Sequence, residues 1–392
     1  MIWFLTTADT EVLATLAAAE RLPDGFGPVR ALNPTAAGAP GLDELWAAGA
    51  PGAVLVRLLG GRRAWDGFDP LAERCRAGGV PLLAFSGEAA PDAELTAAST
   101  APAGAVAEAF EYLRHGGVAN LAELLRFVAD TQLGTGWGFE PPEELPEQGL
   151  WHPRHADPLA ALDPERPTVA VVFYRTHWMS GNTAFVAALV DAVEKAGANA
   201  VGVFCYSLRP GTDGRVAALE LIEGVADTVV VSVLASGGSN AADADTGDGW
   251  AVPAIEALGV PVVQALCATS SRAVWEAAGG LSPLDAAMQV AIPEFDGRLV
   301  GVPVSFKETD DSGVARYVPD PERAARLAGI AVRQARLRHT PNGAKRVAIV
   351  LSNYPTRHSR VGNAVGLDTP ASAVRLLDAL TDAGYDLSLI HI

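Results

Sequence analysis

Residues 168–183 read TVAVVFYRTHWMSGNT, and the opening of that pattern returns at residues 346–372 as RVAIVLSNYPTRHSRVGNAVGLDTPAS. Each copy has a β-branched run, Val169 to Phe173 and then Val347 to Leu351, followed by a polar segment rich in Arg and His. A Gly-Asn pair and an amphipathic helical pattern ending in Ala-Gly complete the copy. Short apolar runs ahead of helix-length segments mark βα units and a parallel sheet, so the chain begins the same α/β unit twice. Such sheets bind ligands outside the carboxyl ends of their strands, on the loops that leave them. The two loops hold the densest sets of side chains able to grip a large anion or a metal ion. They are Arg175, His177, Trp178 and Asn182 in the first, and Asn353, Tyr354, Arg357, His358, Arg360 and Asn363 in the second.

Outward from this segment the same alternation continues. Upstream, Ile2 to Leu5, Ala53 to Leu59 and Val80 to Phe85 read as strands, with helical patterns at Glu11 to Arg21 and Asn120 to Ala129. Gly60 to Trp65, GGRRAW, forms a further loop at a carboxyl edge. Downstream, strands are expected at Ala200 to Phe204, Thr228 to Leu234, Val260 to Leu266 and Leu299 to Val304, with helices at Thr183 to Ala196, Arg215 to Glu223 and Val252 to Leu258. Asp320 to Arg338 reads as a helix with acids in its first turn and arginines after them, the order that complements a helix dipole. The fold class expected is therefore α/β and multidomain, in successive doubly wound, flavodoxin- or Rossmann-like parallel-sheet units.

Residues 134–167 carry seven prolines, a density that neither continues a helix nor sits in a central ladder. The organisation expected is an α/β domain at 1–133, a proline-rich connector at 134–167 packed through Trp137 and Trp151, a second α/β domain at 168–344, and a third unit from 345. That third unit ends in LSLIHI, a strand-like run with nothing after it, so the chain reads as the amino-terminal piece of a longer protein. The last residues read either as that strand or as translated cloning or adaptor DNA.

A length of 392 residues with 49% hydrophobic and 19% charged side chains supports two or three ordinary cores. The net charge of −17 argues against nucleic-acid binding, which needs clustered Lys and Arg. Cys75, Cys205 and Cys267 form no CxxC and read as buried free thiols. The start lacks a basic n-region, and no run reaches about 18 uninterrupted apolar residues, so a cytoplasmic protein without a membrane span is expected.

Neither a GxxxxGK[ST] phosphate loop nor a GxGxxG turn is present, and neither GxSxG nor HExxH occurs. Asp243, Asp245 and Asp248 miss the calcium-loop spacing and read as a surface loop. Thr6, Thr7 and Asp9 read as a helix start. His177 has three readings: a metal ligand as neutral imidazole, a contact for a substrate carboxylate, or a loop histidine bonding a backbone carbonyl. Gly181-Asn182 and Gly362-Asn363 suit a left-handed turn followed by a helix cap, which also offers an anion site.

Four segments together resemble a known family: Tyr112 to Asp130, YLRHGGVANLAELLRFVAD; Phe173 to Leu189, FYRTHWMSGNTAFVAAL; Gly280 to Glu308; and Leu351 to Ser372. The chain is similar to the large subunit of aerobic cobaltochelatase, related to the H subunit of magnesium chelatase. The resemblance implies ATP-dependent insertion of cobalt(II), as substrate, into hydrogenobyrinic acid a,c-diamide in cobalamin biosynthesis. It implies a corrin-type macrocycle held by this subunit, with ATP and magnesium handled by separate AAA+ ATPase subunits. On that reading Arg175, His177, Asn182, Asn353, Arg357 and Asn363 would bind substrate, His177 would be the candidate metal ligand, and the catalytic base is not assigned. Alternatives are magnesium insertion into protoporphyrin IX and a scaffold without chemistry of its own.

Overall fold

A computed structural model of the chain describes residues 1–36, 38–88, 90–211, 213–234, 253–310, 313–351, 362 and 366–387. Its described residues form two parallel-sheet lobes. The first holds β1 (Ile2–Thr6), β2 (Val29–Leu32), β3 (Ala53–Leu58) and β4 (Leu82–Ser86), in the order β2-β1-β3-β4 and parallel throughout. The second holds β5 (Gln148–Trp151), β6 (Thr168–Tyr174), β7 (Asn199–Cys205), β8 (Thr228–Val231), β9 (Val262–Ala268), β10 (Leu299–Thr309) and β11 (Ala315–Pro319). Its order is β11-β10-β9-β8-β6-β7-β5, with both edge strands antiparallel to their neighbours. In each lobe the second parallel strand lies outside the first and the third lies on its other side, so the winding reverses between β1 and β3 and between β6 and β8. These are the switch points at which doubly wound sheets open a crevice.

The central strands are largely apolar because both faces of each sheet are covered. In the first lobe Ile2, Phe4 and Leu55 pack on the side of Ala109, Leu121 and Phe127, while Trp3, Leu5 and Val56 pack with Leu45 and Leu71. In the second, Val169, Val171 and Phe173 meet Phe185, Leu189 and Leu327, while Ala170 and Val172 meet Leu219 and Ile222. Alternate residues of one strand thus feed two cores, as the two-residue repeat of a strand requires.

Three strands escaped the sequence reading. β2 and β5 are only four residues long, and β11 alternates intermediate and exposed positions at a sheet edge. β5 lies inside the proline-rich stretch and pairs with β7 at the edge, where proline-rich flanks are tolerated. Trp151 packs edge-on against Phe173 at 5.5 Å, and Trp137 sits 5.7 Å from Phe26. Asn120 exchanges hydrogen bonds with the backbone of Glu143, and Asp130 accepts the N–H groups of Trp137 and Gly138, so the connector lies along the helix Gly117–Leu133.

One expectation is corrected. Residues 347–351 form no strand, and Val350 is 89% exposed, because no described strand offers this run a ladder. The helix expected at Thr6, Thr7 and Asp9 starts at Asp9, with Ala8 at its N-cap; the Thr6 hydroxyl accepts the Ala8 N–H and donates to Glu11. The thiols of Cys75, Cys205 and Cys267 are free, and burial pushes them up to about 11, 12 and 11. The segment carrying Asp243, Asp245 and Asp248 lies outside the described residues. Among the described residues no helix is long and apolar enough to cross a membrane.

Candidate functional site

The carboxyl edges of the two sheets face each other across a cavity of about 560 Å³. The first lobe contributes Glu11 after β1, Arg57 at the end of β3 and Gly87 after β4; the second contributes Tyr174, Arg175 and Tyr206 after β6 and β7. Arg114, Gly116 and Gly117, from the junction between the helices Ala103–His115 and Gly117–Leu133, close one side. The volume falls in the range of roughly 300–1,000 Å³ typical of small-molecule sites.

Helix geometry sorts the residues after β6. Arg175 to Ser180 contains neither Gly nor Pro, so the chain winds into a helix on leaving the strand and stops at Gly181, whose φ of 70° terminates it. The polar loop expected here is therefore helical. Arg175, Thr176, Met179 and Ser180 share one side and line the cavity, while His177 and Trp178 turn to the core. Trp178 stacks on Phe204 at 4.2 Å with nearly parallel planes.

His177 sits edge-on between Phe185 and Tyr317, at 5.0 and 5.4 Å, and its Nδ1 has no hydrogen-bond partner. Burial pushes its pKa down to about 4, so it is neutral at pH 7. It does not line the cavity, and it bonds no carbonyl through Nδ1. Asn182 likewise turns inward: its Oδ1 accepts the Tyr317 N–H at 3.3 Å, and it gives the helix Ala184–Lys195 no side-chain cap. The sequence placed these two beside Arg175 by adjacency, whereas the helical turn sends His177 to the opposite side and the chain after Gly181 carries Asn182 to β11. Asn353, Arg357 and Asn363, with Tyr354, His358 and Arg360, lie outside the described residues.

Arg175 is held by two backbone acceptors: Nε donates to the Pro146 carbonyl at 2.7 Å and Nη2 to that of Leu145 at 2.9 Å. Burial lowers the pKa of its guanidinium, an effect opposed by the Glu147 carboxylate. Arg57 and Glu11 form an ion pair at the switch point of the first lobe, with side chains 11% and 23% exposed. Arg57 also donates to the carbonyls of Ser86, Leu113 and Gly87, and Thr6 Oγ1 donates to Glu11 at 2.7 Å. The sequence reading passed over both, although an arginine inside the apolar run AVLVRL is itself a signal, since a buried charge demands a partner.

Among the described residues, one group of three metal-type side chains comes together: His152, His155 and Glu194, with candidate atoms within 4.8 Å of one another. His152 Nδ1 accepts the Arg154 N–H, which leaves the proton on Nε2, facing Glu194 Oε1 at 3.1 Å. Arg154 also pairs with Glu194 and Asp191. With both His152 nitrogens engaged and the carboxylate neutralised, the group crosslinks the connector to the helix Ala184–Lys195 and offers no open ligand set.

A family model described as CobN/Magnesium Chelatase matches residues 110–391, well over half of the chain. The chain belongs to this family. It is 35% identical over 405 residues to the aerobic cobaltochelatase subunit CobN of Pseudomonas aeruginosa, covering 97% of this chain and 31% of that protein. It is 27% identical over 310 residues to the H subunit of magnesium chelatase from Rhodobacter capsulatus, covering 71% of this chain and 25% of that protein. Among solved structures it is similar to the catalytic subunit of cobaltochelatase from Mycobacterium tuberculosis, with 45% identity and a TM-score of 0.78 over 98% of this chain and 31% of that one. The chain thus spans less than a third of the length of these CobN/magnesium chelatase relatives. The matched region takes in Arg114, the helix Gly117–Leu133 and Arg175; Glu11 and Arg57 lie ahead of it.

Proposed function

We propose that this chain contributes a macrocycle-holding part of the large subunit of an ATP-dependent cobaltochelatase, which inserts cobalt(II) into hydrogenobyrinic acid a,c-diamide. The observation that carries the reading is the cavity between the facing carboxyl edges of the two sheets, walled by apolar side chains and arginines together. A corrin-type macrocycle has an apolar face and a carboxylate-bearing rim, and this mixture of apolar wall and guanidinium suits it. The absence of a phosphate loop from the sequence agrees with ATP hydrolysis by separate AAA+ subunits. The work left to this subunit is then to bind and orient the macrocycle, and cytoplasmic action fits that assignment.

The reading is tested by titrating the chain with hydrogenobyrinic acid a,c-diamide and following the macrocycle's absorbance, with protoporphyrin IX as competitor. Saturable binding that protoporphyrin IX does not displace supports a cobalt-type substrate. Displacement by protoporphyrin IX would favour the magnesium-type substrate instead, and no spectral change with either would remove the cavity from substrate binding.

A further inference from the structure

Resting on that reading, we infer that the cavity is a carboxylate-reading subsite in which Arg114 and Arg175 anchor the charged edge of a ligand whose apolar face lies on Met179 and Leu121. The sign of the charge is the first reason. The chain carries a net −17, yet the cavity lining holds three arginines against one carboxylate. Guanidinium groups gathered in a cleft of an acidic protein favour an anionic ligand there.

The three arginines are not equivalent. Arg57 is committed: Glu11 balances its charge, and the carbonyls of Ser86, Gly87 and Leu113 take its donors. It builds the floor and distinguishes nothing. Arg175 is clamped through Nε and Nη2, which leaves Nη1 outside the clamp on a guanidinium already fixed in place. A pre-positioned guanidinium loses little entropy on meeting a carboxylate. Arg114 is 48% exposed and held on one side by Glu111 at 2.6 Å, on the same helix.

The wall between these two arginines is backbone. Gly116 and Gly117 have φ of 66° and 85°, and a Cβ on them would lie 2.4 Å from Met179 Cε and 2.6 Å from Leu145 Cδ1. The positive φ values disfavour side chains there, and Met179 reaches the wall and supplies an apolar surface beside the charges.

The consequence is discrimination between a carboxylic acid and its neutral derivative. Binding of hydrogenobyrinic acid a,c-diamide and of its fully methyl-esterified form is measured on the wild-type chain and on Arg175→Met, Arg114→Met and Arg333→Met, the last lying outside the cavity lining. The wild type and Arg333→Met should favour the acid by about ten- to hundred-fold, the scale of one or two charge-assisted hydrogen bonds. Each cavity variant should lose at least several-fold of that preference while holding the ester as before. Arg114→Met leaves the Arg175 clamp on the connector intact, so it reports even if Arg175→Met fails to fold. Macrocycle binding with the acid preference unchanged in both cavity variants would overturn the subsite and leave the cavity reading standing. A wild-type chain that binds neither form would overturn both.

Discussion

His177 holds a neutral imidazole between two aromatic rings, and that has a measurable cost in acid. Burial keeps its pKa at about 4 in the folded chain against an ordinary 6.5. Between those values the unfolded chain takes up a proton that the folded one refuses, so stability is full above about pH 6.5 and falls as the pH drops toward 4. The loss from this residue is on the order of 2–3 kcal/mol. His177→Phe should flatten the dependence of the urea midpoint between pH 6.5 and 4.5; an unchanged slope would place the titration elsewhere. Glu11→Ala acts by another route, stranding the Arg57 guanidinium with only carbonyls for partners. A loss of about 2–3 kcal/mol is expected at pH 7. Recovery of wild-type stability in the double variant with Arg57→Met would identify the stranded charge as the cause, whereas additive losses would argue against it.

At the scale of elements, close approach decides which glycines matter. Gly301 lies in β10 where the register against β9 shifts, and a Cβ there would stand 2.2 Å from the Gln264 carbonyl oxygen, a backbone atom that cannot swing away. Gly301→Ala should therefore cost about 1–3 kcal/mol. Gly329 sits within the helix Pro321–His339 with nothing near its missing Cβ, and Gly329→Ala should stabilise by about 0.5–1 kcal/mol. Paired urea unfolding curves test the opposite signs, and a shift of both midpoints in one direction would contradict the packing account. The same distinction explains what could be read in advance. Long apolar runs such as Val169–Phe173 declare parallel strands because both faces are buried, and Asp320 does cap its helix, accepting from Glu322 and Arg323. β2, β5 and β11 are too short or too exposed to carry such a pattern. Arg175 was legible as a cavity residue because it directly follows a central strand. His177 points inward because the phase of the Arg175–Ser180 helix sets its direction, and Asn182, past the turn at Gly181, points inward to the Tyr317 backbone. Glu11 and Arg57 meet across 46 residues of sequence, a pairing that only the switch point of the first sheet creates.

At the scale of the whole molecule, two attachments frame the cavity. The connector joins the lobes through Arg175, which grips its backbone carbonyls. The β10–β11 hairpin reaches the first lobe, where Lys307 pairs with Asp9 at 2.6 Å and Val314 is buried against Val12 and Leu13. Burial pushes the Asp9 carboxyl up, but Lys307 and Asn33 outweigh it and hold its pKa below the ordinary value. The pair therefore persists through neutral pH and lapses only as the pH falls through that lowered value. Both partners are about one-third exposed, so the ion pair itself contributes less than about 1 kcal/mol, and the apolar contact does more of the holding. Val314→Asp removes that contact and sets a carboxylate against Val12 and Leu13, while each lobe keeps its own two-sided core. Calorimetry should then show the two lobes unfolding in separate steps, and the macrocycle binding proposed above should weaken several-fold because the cavity walls are no longer held in register. If Val314→Asp instead unfolds in the same single step as the wild type and binds the macrocycle equally well, the hairpin is not what holds the lobes around the cavity, and the connector and the packing of Met179 against Gly116 must do so.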